Sequence, residues 1–124
     1  GHRAVLNLGH TVGHGIEAAA GYDLYHHGEA ISLGLLAALR ISERTLGLAP
    51  QWRERTRETL DRHGLPVRMD PSVDVAEVIE IMSRDKKSDG RALNMVLLRA
   101  PGDVLTHQDP DPAVVRDAVE ELLT

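Results

Sequence analysis

Residues 7–46 read NLGHTVGHGIEAAAGYDLYHHGEAISLGLLAALRISERTL, and they contain the strongest helix signals of the chain. It predicts a first helix over residues 8–20, which Gly21 would end. A short loop over residues 21–28 leads to a second helix over residues 29–46. Apolar residues lie on nearly all sides of the second helix in its first half, so we expect that half to be buried. The stretch therefore predicts two helices joined by a short loop.

The rest of the chain predicts three more helices and one small hairpin. Proline residues open two of these helices, and apolar residues at helical spacing mark the third. The hairpin would pair a strand over residues 92–99 with residues 104–106, across a Pro-Gly-Asp turn. The helices are predicted over residues 50–63, 74–84 and 112–123. We therefore expect a mainly α fold, a helical domain of about five helices with one small β-hairpin.

The composition limits the class of protein. The 124 residues fit one domain better than two, so we expect residues 3–124 to form a single helical domain, with residues 1–2 a tag remnant. Phe is absent and only 2% of residues are aromatic, so the core is expected to be Leu, Ile, Val and Ala. A net charge of −5 with no basic block argues against nucleic acid as a partner.

The chain also lacks the sequence features of exported or membrane proteins. There is no cysteine, so disulfides and thiolate metal sites are excluded. No apolar run reaches the roughly 18 residues of a membrane span, and no secretory signal is present. We therefore expect a cytoplasmic protein with no membrane partner.

Seven histidines are the main indication of chemistry. His10 and His14 are four residues apart on a predicted helix, a good start to a divalent metal site. If the two helices pack antiparallel, His27 returns beside His10. The residues alone leave both a metal site and plain polar packing open. Glu17 and Glu29 are candidate carboxylate ligands, yet each is equally explained as a helix-end residue or as support for a ligand.

Glycines are frequent around these histidines. Gly9, Gly13 and Gly15 each weaken the first helix by up to ~1 kcal/mol relative to Ala. We therefore expect a ligand or another helix to approach the backbone closely there. Gly28 is expected to allow an unusual backbone turn, while the charge of Glu29 favours a helix N-terminus.

Residues 7–17, NLGHTVGHGIE, followed by HGE at residues 27–29, resemble the zinc-site region of the 3-dehydroquinate synthase family. The later GLPV and RDKKSDG…LNMVLL segments match the same family in the same order. The resemblance therefore covers almost the whole chain. The motif that carries the resemblance is far more specific than a generic HxxxH pair.

The resemblance implies roles for the histidines. His10 and His27 look like two of three ligands of zinc, or of another divalent metal such as cobalt. The family's third ligand is a glutamate far upstream, which this chain does not contain. His14 looks like a catalytic and substrate-binding residue near the phosphate. His63 and His107 lie near the ends of predicted elements and are interpreted as structural or solvent-exposed.

The resemblance also implies contacts to a small anionic sugar-phosphate substrate. Arg3 looks like the carboxylate-binding residue, Asn7 like a second contact, and Lys86 or Lys87 like a lysine that reaches the phosphate. The implied reaction converts 3-deoxy-D-arabino-heptulosonate 7-phosphate to 3-dehydroquinate plus phosphate, in the shikimate pathway. NAD would be bound mainly by an N-terminal domain absent from this chain, in a homodimeric enzyme. The chain alone is therefore expected to be inactive and to bind zinc weakly.

Three alternatives remain. The nearest is another sugar-phosphate cyclase, such as a deoxy-inosose or valiolone synthase, although Arg3, Asn7 and His14 together with the Asp-Lys-Lys loop favour the dehydroquinate branch. Metal-dependent alcohol or glycerol dehydrogenases share an HxxxH and a later HG, but lack the surrounding motif. The third alternative is a non-catalytic helical module.

Overall fold

The computed structural model describes residues 7–84 and 94–124, which form five helices and one two-stranded antiparallel sheet. The helices are α1 (His10–Ala19), α2 (His27–Leu46), α3 (Gln51–Arg62), α4 (Val75–Arg84) and α5 (Pro112–Glu121), and the strands are β1 (Met95–Ala100) and β2 (Asp103–Gln108). The mainly α fold with one small hairpin is confirmed. None of the helices described is long and apolar enough to cross a membrane.

Helices α1 and α2 touch through their backbones. A Cβ built on Gly34 would fall on the backbone O of Gly9 and the backbone N of Gly13. Conversely, a Cβ on Gly13 would lie 3.0 Å from the Cα of Ile31, and one on Gly9 would lie 2.6 Å from the N of Leu35. Gly9 thus meets Leu35, and Gly13, further along the chain, meets the earlier residue Ile31, so the helices are antiparallel. Of the two expected causes of these glycines, another helix is the one that the structure shows.

Helix α4 approaches α1 in the same way at Gly15. A Cβ on Gly15 would lie 3.0 Å from the Cγ of Met82 and 3.1 Å from the carbonyl O of Val78. The apolar face predicted for α4 is confirmed, since Val78 and Met82 are buried. Helix α1 is thus packed between α2 and α4 through small residues.

Helix α2 runs through the centre, and its burial extends further than its first half, as far as Ser42. The core also contains all three methionines, Met69, Met82 and Met95, each at most 2% exposed. The expectation of a core made only of Leu, Ile, Val and Ala was therefore wrong. The unbranched thioether side chain fills irregular gaps that branched residues leave.

The loop between α1 and α2 is shorter than predicted. Gly21, at φ 81°, follows the end of α1 as expected, and Tyr22 continues the left-handed turn at φ 65°. However, α2 begins at His27 because the Glu29 carboxylate accepts a hydrogen bond from the backbone N of His26 at 2.8 Å. Gly28 lies inside this first helical turn without a positive φ, so the unusual turn expected there was wrong.

The hairpin is fastened to α2 by a buried hydroxyl. Ala100 pairs with Asp103 across a turn that contains Gly102 at φ 81°. The Oγ of Ser42 donates to the carbonyl of Ala38 at 2.8 Å and accepts from the N of Leu98 at 2.9 Å. This contact ties β1 to the back of the helix whose first turn carries His27.

Candidate metal centre

His10 and His27 come together across the α1–α2 pair. Each is the first residue of its helix, and His10 follows Gly9, whose φ is 87°. Their ring centroids lie 6.2 Å apart, with the ring planes at 89° to each other. The antiparallel packing therefore returns His27 beside His10, as the sequence predicts.

Glu17 lies behind His27. Its Oε1 is 3.2 Å from the Nδ1 of His27. The side chain of Glu17 is only 14% exposed, whereas that of His27 is 66% exposed. The carboxylate thus engages one ring nitrogen of His27 from the protein side and leaves the rest of the ring open to solvent.

Glu29 has a different environment from Glu17. Its Oε1 accepts the hydrogen bond from the N of His26 that closes the first turn of α2. This contact supports the helix-end interpretation of Glu29, because it satisfies one of the free N–H groups at the helix start.

The remaining residues of the predicted site are only partly described. His14 is exposed and follows His10 by one helical turn on α1. Asn7 is also exposed, and its carbonyl O accepts a hydrogen bond from the N of His10 at 3.1 Å. The other predicted substrate contacts lie outside the described residues; they are Arg3, Lys86 and Lys87.

The two remaining histidines considered in the sequence lie away from this centre. His63 is exposed at the end of α3, and its Nδ1 lies 2.8 Å from the carbonyl O of Thr59. His107 is on β2, at φ 56°, with its Nδ1 3.1 Å from the Oδ1 of Asn94. These contacts agree with the structural or exposed interpretation of both residues.

The donors at His10 and His27 suit part of the ligand set of zinc or cobalt. A zinc–nitrogen bond of 2.0–2.1 Å places the centre of an imidazole ring about 3 Å from the metal, so two rings on one tetrahedral ion have centres about 5 Å apart. The observed 6.2 Å is about 1 Å wider, so the two rings would have to approach by about that distance to share one ion. Within residues 7–84 and 94–124, no group of three or more His, Asp or Glu residues could hold a metal. The chain's own residues therefore fit two positions of a metal site.

Sequence spacing left the role of Glu17 open. Position 17 shares the face of His10 and His14 whether the carboxylate binds a metal or supports a ligand, so spacing cannot separate these roles. The structure adds the contact of Glu17 with the Nδ1 of His27, which spacing within α1 does not predict. Gly34 was missed altogether, although a lone glycine among bulky apolar residues of a helix is a signal of close packing.

Comparison with known families decides the class of protein. The family model described as 3-dehydroquinate synthase C-terminal matches residues 1–88. The chain belongs to the 3-dehydroquinate synthase family. It is 42% identical over 121 residues to the 3-dehydroquinate synthase of Halorhodospira halophila, covering 98% of this chain and 34% of that protein.

Other 3-dehydroquinate synthases agree. The protein of Acidithiobacillus ferrooxidans is 36% identical over 123 residues, which cover 99% of this chain and 34% of that protein. The protein of Bacillus pumilus is 41% identical over 105 residues, covering 85% and 29% respectively. The chain thus spans about a third of the length of the curated relatives it matches.

Two similar solved structures are of 2-deoxy-scyllo-inosose synthase. One has a TM-score of 0.72 at 22% identity and covers 93% of this chain and 31% of the other. The second is described as complexed with carbaglucose-6-phosphate, NAD+ and Co2+; it has a TM-score of 0.78 at 23% identity and covers 93% and 34%. These likenesses show that the chain has the same fold as the matching third of those two structures.

Proposed function

We propose that this chain supplies the metal- and substrate-binding part of a 3-dehydroquinate synthase. The reaction would convert 3-deoxy-D-arabino-heptulosonate 7-phosphate to 3-dehydroquinate and phosphate, a carbon–oxygen lyase step of aromatic amino acid biosynthesis. The observation that carries the proposal is the meeting of the His10 and His27 rings 6.2 Å apart. It occurs in a chain that is 42% identical to a curated 3-dehydroquinate synthase.

The proposed cofactors are a divalent metal, zinc or cobalt, and NAD. When bound, the metal supplies Lewis-acid polarisation of a substrate oxygen and NAD supplies reversible hydride transfer. His10 and His27 would hold the metal, with a third ligand from the remainder of the polypeptide. A similar solved structure described with NAD+ and Co2+ supports this pair of cofactors.

The chain's other residues would bind and orient the substrate. His14, one helical turn after His10, would hold the phosphate group or move a proton there near neutral pH. Arg3 would grip the carboxylate through two parallel hydrogen bonds, and Asn7 would add a further contact. Lys86 or Lys87 would contact the phosphate. The assignments of Arg3 and of the two lysines rest on the family motif alone.

The full enzyme would be a cytoplasmic homodimer. The N-terminal NAD-binding domain would be the main partner of this chain. Support comes from the length of the relatives, of which this chain spans about a third. For this reason we expect the 124-residue chain alone to release no phosphate with substrate, NAD and zinc; robust turnover would contradict that expectation.

The test is phosphate release by a chimeric enzyme in which this chain replaces the corresponding C-terminal third of the Halorhodospira halophila relative. We expect His10→Ala and His27→Ala each to lower the rate about 100-fold or more, since outer-shell changes at metal sites already cost 10–100-fold. His63→Ala is the matched control, because His63 is exposed and its ring bonds to the carbonyl O of Thr59 in its own helix. Unchanged rates in the His10 and His27 variants would contradict the proposal.

A second candidate is cyclisation of another sugar phosphate, favoured by the likeness to two structures of 2-deoxy-scyllo-inosose synthase. The same assay separates the two candidates when glucose 6-phosphate replaces the heptulosonate substrate. We expect turnover of the heptulosonate phosphate only. Turnover of glucose 6-phosphate only would assign the chain to the other cyclases.

A further inference from the structure

The carboxylate of Glu17 is partly buried and has one partner. Its Oε1 lies 3.2 Å from the Nδ1 of His27, and within the described ranges its side chain makes no other hydrogen bond or ion pair. A carboxylate that is only 14% exposed loses most of its hydration, so it needs a compensating donor. The Nδ1 of His27 is the group placed to serve as that donor.

The position of Glu17 on its own helix gives no reason for a negative charge. Glu17 lies near the end of α1 (His10–Ala19), where the helix dipole favours cations, and that last turn carries no basic residue. The start of the neighbouring helix α2 is already served by Glu29, which accepts from the N of His26. Support of either helix end therefore does not account for Glu17.

The chemistry of imidazole gives the contact a consequence. A neutral ring carries its proton on one nitrogen and a lone pair on the other, and an ionised carboxylate can only accept. For a neutral His27 ring, donation to an ionised Glu17 requires the proton on Nδ1 and leaves the lone pair on Nε2. Metal-binding histidines commonly donate their second N–H to a carboxylate in this way, which fixes both the tautomer and the ring orientation.

We propose that Glu17 is a positioning residue that selects the Nε2 of His27 as the metal-binding nitrogen and holds its ring beside His10. This proposal rests on the proposed function insofar as it takes His27 to be a metal ligand. It assigns Glu17 and Glu29, twelve residues apart, two separate tasks: Glu17 orients a ligand, and Glu29 begins the helix that carries it.

The first experiment measures the tautomer of His27 without any metal. In the 15N-labelled chain at about pH 8.5, well above the usual imidazole pKa of about 6.5, long-range proton–nitrogen correlation identifies the protonated nitrogen. We expect His27 to be protonated on Nδ1 in the wild type and mainly on Nε2 in Glu17→Ala. Glu29→Gln is the matched control and should keep the Nδ1 proton, because glutamine also serves in a capping box. An Nε2–H tautomer in the wild type, or no change in Glu17→Ala, would overturn the proposal.

The second experiment measures Co2+ affinity in the chimeric enzyme by absorption titration. We expect Glu17→Ala to weaken binding 10–100-fold and Glu17→Gln, which keeps a neutral acceptor, to fall between Glu17→Ala and the wild type. The near-isosteric Glu17→Gln also serves if Glu17→Ala fails to fold. Equal affinity in all three proteins would overturn the role of Glu17. If the wild type itself binds no Co2+, the proposed function fails, whereas the tautomer experiment still reports on Glu17.

Discussion

The two long faces of α2 make contacts of opposite kinds. Toward α1 the contact is backbone against backbone, at Gly34, Gly9 and Gly13. Toward α3 it is made by side chains: the ion pair Arg53–Glu43, 2.6 Å between Nε and Oε2, accompanies the packing of Trp52 against an apolar cluster of α2. The first face carries the candidate metal centre, and the second is remote from it.

The charged face is a small network around a buried acid. The side chain of Glu43 is 4% exposed and also receives the Nη1 of Arg40 at 3.0 Å, while the Nε of Arg40 reaches Glu121 at 3.0 Å. Burial opposes the charge of Arg40, but the carboxylates of Glu43 and Glu121 prevail and hold its pKa above its ordinary value.

The difference explains where the site lies. A glycine contact contains no rotatable side chain, so it fixes the distance between two helix axes. His10 and His27 are the first residues of these two helices, so the distance between them depends on that spacing.

The largest expected effect follows from adding one methyl group to the glycine face. Gly34→Ala would place a Cβ on the backbone of Gly9 and Gly13, so the helices must separate, at a cost of about 3 kcal/mol or more. Gly28→Ala in the same helix is the matched control, because its Cβ would meet nothing within 4 Å, and we expect a change of at most about 1 kcal/mol of either sign. Urea denaturation measures both, and equal stabilities would refute the account of this face.

An intermediate effect is expected on the charged face. Glu43→Ala leaves Arg40 and Arg53, which are partly exposed, without their shared acceptor, and should lower the free energy of unfolding by about 1–3 kcal/mol. Glu80→Ala provides the control, because its ion pair with Arg84 is exposed on both sides. A loss as small as that of the Glu80 variant would show that the network around Glu43 is only a solvated surface.

The smallest effect is expected where α2 meets α5. Arg44 and Asp117 form an exposed ion pair at 3.0 Å, with side chains 38% and 52% exposed. Arg44→Ala should change the free energy of unfolding by no more than about 0.5 kcal/mol, and less at high salt. A loss above 2 kcal/mol, on the order of a buried hydrogen bond, would mean that ionic contacts also set the helix spacing.

Local signals predicted most of the fold. Gly21 ends α1, and Pro112 opens α5 as expected; there Asp111 accepts from the N of Ala113 at 2.9 Å. The start of α2 at His27 was missed because the hydrogen bond from His26 to Glu29 competes with the helix-breaking tendency of Gly28. A sequence pattern considers the helix preference of each residue separately, whereas this hydrogen bond depends on two residues together.

The sequence predicted which residues are candidates for the site, but not which of them contact each other. Spacing groups His10, His14 and Glu17 on one helical face and gives no order among them. The return of His27 required a tertiary arrangement, the antiparallel packing that Gly34 permits. The buried network around Glu43 was not predictable either, because it joins residues far apart in the chain: Arg53 is 10 positions from Glu43, and Glu121 is 81 positions from Arg40.

The central claim is that His10 pairs with His27, rather than with its helical neighbour His14, to hold the metal. Cobalt absorption titration of the chimeric enzyme tests this most directly, with His10→Ala, His27→Ala and His14→Ala compared side by side. We expect the first two variants to lose the cobalt spectrum and His14→Ala to keep it with nearly unchanged affinity. Loss of the spectrum in His14→Ala with retention in His27→Ala would contradict the claim.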